Sequence, residues 1–212
     1  GMGAVYLARQ ERPAREVALK VLRAGVVTAR LLRRFEIEAE ALGRLQHPGI
    51  AQIYEAGMFE AGQGQQPFFA MEYVRGQPLT DWATRKGLDG RGRVALMAKV
   101  CEAVQHAHTK GVVHRDLKPA NVLVEESAAP TLDSPEAQTV DALVGQPKIL
   151  DFGVARLTDS DLQQATLMTD LGQLVGTVPY MSPEQVGGNP HDVDTRSDVY
   201  ALGVMLYELL TG

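Results

Sequence analysis

The sequence predicts an α+β fold of two lobes, a small antiparallel β-rich front with one helix and a mainly helical back, and three observations carry that prediction. Short β-favouring runs fill the first third of the chain around one segment of helical periodicity. After Gly76 the texture becomes helical. Within that second part, apolar patches at 112–113, 122–124 and 148–150 flank polar clusters, as short strands beside a cleft would. With 212 residues, 45% of them hydrophobic, the chain has material for a sizeable core.

The elements read in order. Ala4–Ala8 and Glu16–Val21 are strands separated by a turn at Arg12-Pro13. Across 28–45, Leu31, Leu32, Phe35, Ala39, Leu42 and Leu45 recur at helical spacing with charges between them, and His47-Pro48-Gly49 ends that helix. Strands follow around Ile50–Tyr54 and Pro67–Tyr73, joined by a Gly/Gln-rich loop at 60–66. Residues 93–110 form an amphipathic helix whose buried stripe is read as Val94, Met97, Ala98, Cys101, Val104, Ala107 and His108. Residues 126–146 are rich in Ala, Pro, Asp and Glu, lack periodicity, and read as an inserted surface loop. Residues 197–210 form a closing apolar helix. The lobes are expected to divide at about Tyr73, as 1–73 and 74–212.

Charge and composition exclude several classes. With 21 basic and 26 acidic side chains the net charge is −5, so no basic footprint for nucleic acid is present. One cysteine, Cys101, excludes an internal disulfide framework and fits a reducing, cytoplasmic setting; its place in an apolar helical run predicts a buried structural thiol. No run of 18 apolar residues and no signal peptide is visible, although a membrane anchor elsewhere in a longer parent protein is compatible with this reading. His106 and His108 are two apart on a helix, so they are not expected to pair on a metal, and Asp192 and Asp194 read as solvated loop residues.

The specific signal is an ordered set of motifs. Gly3-Ala4-Val5 and Val17-Ala18-Leu19-Lys20 come first; His114-Arg115-Asp116-Leu117-Lys118-Pro119-Ala120-Asn121, Asp151-Phe152-Gly153 and Ser182-Pro183-Glu184 follow. Any one of these is weak evidence, but five in this order form the pattern that phosphoryl transfer uses. That reaction asks a protein mainly to neutralise phosphate charge and to hold two oxygens in line.

In this order the motifs resemble the catalytic domain of protein kinases of the serine/threonine class, the Hanks-type kinases of bacteria, over essentially the whole chain apart from 126–146. The resemblance implies a bilobal kinase-like fold and transfer of the γ-phosphoryl group of ATP, with Mg²⁺ (Mn²⁺ as the alternative), to Ser or Thr hydroxyls of proteins in bacterial signalling. It assigns Asp116 as the base that orients the attacking hydroxyl, Asn121 and Asp151 as metal ligands, and Lys20 as the cation on the outer phosphates. A helix glutamate should orient Lys20. Glu38, four residues before Leu42 and nine before His47, fits better than Glu36 or Glu40, which lie about 200° away around the helix.

Lys118 and Thr177 match positions that favour Ser/Thr substrates. Gly3, Val5 and Ala18 belong by resemblance to the roof over the nucleotide and Leu123 to its floor, with Met71 beside it and the adenine bonded to the backbone of Glu72 and Val74. Structurally, His114 should pack on Phe152, and Asp198 should steady the His114-Arg115 backbone. Thr169, or else Thr166, matches an autophosphorylation position.

Some features depart from the family pattern. The first strand and two loop glycines would precede residue 1, and helices would follow Gly212, so both ends look cut and the bare chain is expected to be a weak enzyme. Glu184 is expected to lack the arginine that normally faces it. The rival readings are a catalytically weak or pseudokinase-like scaffold, against which Lys20, Asp116, Asn121 and Asp151 are intact, and a small-molecule phosphotransferase, whose catalytic loop differs.

Overall fold

The computed structural model describes residues 3–22, 29–61, 64–126, 144–152, 178–187 and 193–212. Expectations that rest on Gly153, Thr166, Thr169, Thr177, Asp192, the side chain of Glu38 and the body of the 126–146 insertion fall outside them.

Alternating runs of β-branched and small residues build the front lobe. β1 (Gly3–Glu11) and β2 (Ala14–Leu22) form a hairpin turned at Arg12-Pro13, with Gly3 opposite Leu22 and Glu11 opposite Ala14. β3 (Ile53–Ala61) and β4 (Gly64–Glu72) form a second hairpin, and the antiparallel sheet has the order β1-β2-β4-β3. The expected loop at 60–66 is therefore mostly strand, with Ala61 paired to Gly64. Gln65 and Gln66 carry no apolar alternation, yet their backbone ladder is complete, and a strand is stabilised by its partner more than by its own propensity. β3 also begins later than expected, at Ile53; Ile50 makes only a single bridge, to Ile149.

α1 (Ala29–Gly43) lies against this sheet. Phe35 and Leu42 on α1, and Leu45 just beyond it, are buried, and the Phe35 ring meets Phe69 of β4 at 4.9 Å between centroids. Each such side chain contributes about 1.5–3 kcal/mol by leaving water.

The back lobe is organised by two long helices. α2 (Leu79–Arg85) precedes α3 (Gly90–Thr109), whose first turn is capped by Asp89 accepting from the Gly92 N–H at 2.8 Å. After them come the short helix α4 (Pro183–Val186) and α5 (Thr195–Thr211). Asp194 caps α5 by accepting from the Arg196 N–H, a role beyond the solvated-loop reading.

A second sheet, β5 (Gln77–Pro78), β6 (Val122–Glu125) and β7 (Gln146–Ile149), is antiparallel and joins the lobes. Residues 112–113 lie outside any strand. One apolar cluster runs from Leu22 and Phe69 through Leu96, Val100 and Ile149 to Met205 and Leu209, so the lobes share a continuous core.

The buried face of α3 differs from the expected stripe. Leu96, Met97, Val100, Ala103, Val104 and Ala107 are buried, whereas Val94, Ala98 and Cys101 are exposed. Apolar residues sit on both neighbouring faces of this helix, so periodicity leaves its rotation open. The packing of α5 and β7 against it decides.

The far end of the insertion is also part of the core. Val144 is buried and its carbonyl accepts the Trp82 indole N–H at 2.9 Å, while the Lys99 amine donates to the Gly145 carbonyl at 3.1 Å. Gly145 has φ +85°, and a Cβ there would lie 2.7 Å from Trp82 and 2.8 Å from Val124. Gly145→Ala should therefore combine left-handed strain with overpacking and cost about 3 kcal/mol in chemical denaturation. A loss under about 0.5 kcal/mol, the size of an ordinary surface change, would refute this account of the anchor.

Candidate active site

The loop from His114 to Asn121 is shaped by a buried carboxylate. Asp198, in the first turn of α5 and 1% exposed, accepts the His114 N–H on Oδ2 and the Arg115 N–H on Oδ1, both at 2.8 Å. Its Oδ2 also lies 2.7 Å from His108 Nε2. These bonds hold Arg115 at φ +70°, a left-handed conformation that costs a non-glycine residue about 1–3 kcal/mol and persists only under such constraint. His108, expected in the buried stripe of its helix, is brought to Asp198 by the fold. His106 instead stacks on His47 with centroids 5.0 Å apart, so the two histidines do part as expected.

His114 links this loop to the next motif. Its Nδ1 accepts the Asp116 N–H at 3.2 Å, and its Nε2 lies 2.9 Å from the Leu150 carbonyl, which can only accept. The ring is thus the neutral tautomer with its proton on Nε2. Phe152 meets His114 edge-on at 4.7 Å, the packing expected.

Around Asp116 the predicted groups converge. Lys118 Nζ lies 3.1 and 2.9 Å from the two carboxylate oxygens. The Asn121 side-chain amide donates to the Asp116 carbonyl at 2.7 Å and to Oδ2 at 3.1 Å, leaving Asn121 Oδ1 as the amide's acceptor. The Leu150 N–H donates to the Asn121 carbonyl at 2.8 Å, which sets Asp151 beside this loop. Asp151 stands at φ +60°, and its Oδ2 lies 2.7 Å from Nζ of the buried Lys20 on β2. The structure thus gathers Asp116, Lys118 and Asn121 at one point and joins Lys20 to Asp151.

The predicted nucleotide residues are spread over β1, β2, β4, the segment after β4, and β6. Val5 pairs with Lys20 and Ala18 with Met71 in the sheet register. A Cβ on Gly3 would stand 2.1 Å from the Val21 carbonyl oxygen, so the hairpin needs glycine there. Met71 and Val74 are buried, and Val5 is exposed. Gly76 presses on β6, where a Cβ would come 3.0 Å from that of Leu123.

Glu72 is more than a backbone position. Its N–H donates to the Gln52 carbonyl at 2.8 Å, its Oε2 accepts the Gln52 N–H at 3.2 Å, and its Oε1 pairs with Lys148 Nζ at 2.7 Å. Lys148 escaped the sequence reading, although a lysine between the buried Pro147 and Ile149 was a usable signal.

Glu184, expected to lack a charge partner, accepts the Ser197 hydroxyl at 2.6 Å. That hydroxyl, followed by a backbone N–H, holds its carboxyl below the ordinary glutamate range.

Mg²⁺ takes hard oxygen ligands and is held by one or two carboxylates together with phosphates and water. The Asp151 carboxylate and the Asn121 amide oxygen fit that donor set. Among the described residues, no group of three or more His, Cys, Asp and Glu is arranged to hold a metal through protein ligands alone.

Comparison with known proteins gives the family. The family described as protein kinase domain matches residues 1–212. The serine/threonine-protein kinase pkn3 of Myxococcus xanthus is 42% identical over 214 residues, PknB of Mycobacterium leprae 37% over 214, and PknB of Mycobacterium tuberculosis (strain ATCC 25618 / H37Rv) 38% over 215. Each alignment covers 100% of this chain, and 36%, 31% and 31% of the respective relative, so the chain spans about a third of the length of these relatives. On the motifs, the bilobal fold and a match over its full length, the chain belongs to the protein kinase family.

Proposed function

We propose that this domain transfers the γ-phosphoryl group of ATP to Ser or Thr hydroxyls of protein substrates, in bacterial signalling. The observation that carries the reading is the meeting of Lys118 and Asn121 on Asp116, next to the Lys20–Asp151 pair. Two ammonium groups, two carboxylates and an amide in one cleft suit the charge of a transferring phosphoryl group.

In this reading Asp116 orients the substrate hydroxyl and takes its proton, which a carboxylate held by two donors does from a fixed position. Lys118 sits on Asp116 and is placed to meet charge developing between base and phosphate. Lys20 contributes its cation to the outer phosphates. Mg²⁺, with Mn²⁺ as an alternative, would be held by Asp151 and Asn121 and would neutralise phosphate charge. Gly3, Val5, Ala18, Leu123 and Met71 border the nucleotide, and the backbone of Glu72 and Val74 bonds the adenine. Glu38 and Thr177 complete the set, as the partner of Lys20 and as a support of Asp116.

The domain is a single kinase unit with lobes 1–73 and 74–212 and an insertion at 126–146. Its setting is the cytoplasmic side of the cell. No helix among the described residues is long and apolar enough to cross a membrane.

The test is direct. Purified protein incubated with ATP and Mg²⁺ should place phosphate on Ser or Thr of casein, and on its own Thr169 or Thr166, by mass spectrometry. Phosphate confined to tyrosine, or ATP consumed with no phosphoprotein formed, would overturn the assignment.

A further inference from the structure

Arg115, the strained residue that leads into Asp116, is held from two sides, and only one of them is Asp198. Asp198 takes the N–H of Arg115. The carbonyl of the same residue accepts the side-chain amide of Gln185 at 2.6 Å. Gln185 lies in α4, 70 residues further along the chain, directly after Ser182-Pro183-Glu184.

The orientation of that amide is fixed by its neighbours. Gln185 Oε1 lies 3.0 Å from the Ser182 N–H and 3.1 Å from the Ser182 hydroxyl. A backbone N–H can only donate, so Oε1 faces Ser182; a carbonyl can only accept, so Nε2 faces Arg115. One side chain therefore does two separable jobs. Its oxygen caps the start of α4, as the third residue of a capping box does. Its nitrogen ties α4 to the catalytic loop.

We propose that Gln185 is a positioning residue for the Asp116 base, acting through the Arg115 carbonyl. Arg115 at φ +70° is a conformation its own chemistry disfavours, so each bond that fixes its peptide also fixes the direction in which Asp116 leaves it. The same bond sets the register between Asp116 and the 178–187 segment. That segment is held at a second point, where the Tyr180 hydroxyl donates to Glu208 Oε2 on α5 at 2.6 Å. Base and segment thus share one frame, with Gln185 as the link between them. The proposal rests on the reading of Asp116 as the base.

The two jobs have opposite responses to one substitution. Glutamate is the usual partner in a capping box and suits the positive end of a helix, so Gln185→Glu keeps or improves the cap. It has no donor for the Arg115 carbonyl and sets a negative oxygen against it.

Gln185→Glu and Gln185→Ala should be compared with the unaltered protein and with Asp116→Ala, measuring kcat, KM for ATP and thermal midpoint. Positioning predicts that Gln185→Glu lowers kcat roughly tenfold, the effect of one lost hydrogen bond at a strained site, with KM for ATP and the midpoint unchanged. Gln185→Ala should lower kcat to a similar degree and the midpoint as well. A kcat within twofold of the unaltered protein in either variant would overturn the inference. If Asp116→Ala also keeps its turnover, the assignment of the base has failed instead. If Asp116→Ala is inactive while the Gln185 variants are not, only the role of Gln185 is lost.

Discussion

Asp116→Ala and Asp151→Ala are each expected to lower phosphoryl transfer to a Ser/Thr substrate by about a thousandfold or more, through different parameters. A positioned base contributes roughly 10²–10⁴ in rate. Removing Asp116 also leaves Lys118 and the Asn121 amide without the carboxylate that collects them, so the loss should sit at the upper end and fall on kcat. Asp151→Ala removes the proposed metal ligand and the partner of Lys20, so it should weaken ATP affinity as well. Because the groups act on one transition state, the double variant should be little worse than the poorer single one. Steady-state kinetics at several ATP concentrations separates these outcomes. Fully multiplicative losses, or near-normal turnover in either single variant, would mean that the cleft works through other residues.

Asp198 should be the most sensitive position for stability. Its buried carboxylate accepts two backbone N–H groups and lies against His108. Asp198→Asn puts an amide N–H₂ where one of those donors now points, and hydrogen bonds to a charged group are worth about 1.5–3 kcal/mol each. A loss of about 4 kcal/mol is expected, a large part of the 5–15 kcal/mol typical of a folded domain. Activity should fall with it, since Arg115 would leave its left-handed conformation. Urea unfolding of Asp198→Asn with the midpoint of the unaltered protein would contradict this account.

The sequence was most informative where chemistry dictates residue type. Asp116, Lys118, Asn121, Lys20 and Asp151 were identified from motif order, and the fold brings them into one cleft by contacts that motif order does not give. His114 on Phe152 and Asp198 under the loop were equally readable, because the family resemblance implies both contacts.

Legibility failed where the answer depends on what packs opposite. The rotation of α3 is set by α5 and β7, so Cys101, expected inside, is exposed. Gln65 and Gln66 became strand because a partner strand was there to pair with. Val144 and Gly145 looked like loop in composition, yet Trp82 and Lys99 reach across from α2 and α3 to hold them. Gln185, Lys148 and His108 share a different difficulty. Each acts through a partner between 70 and 90 residues away in sequence, which no local pattern records.

The stretch from Gly49 to Ala51 has a mechanical consequence. It lies between α1 and β3 in the chain, yet the Ile149 N–H donates to the Gly49 carbonyl and the Ala51 N–H returns to the Ile149 carbonyl, both at 2.9 Å. Gly49 also presses on α3, where a Cβ would meet that of Ala103 at 2.9 Å. By chain order these residues belong to the front lobe; by attachment they belong to the back one. A rotation of the front lobe that kept these bonds would turn about this point. The tip of the β1–β2 hairpin is then the far end of a lever, and Glu72, bonded to Gln52 and Lys148 beside the pivot, travels least.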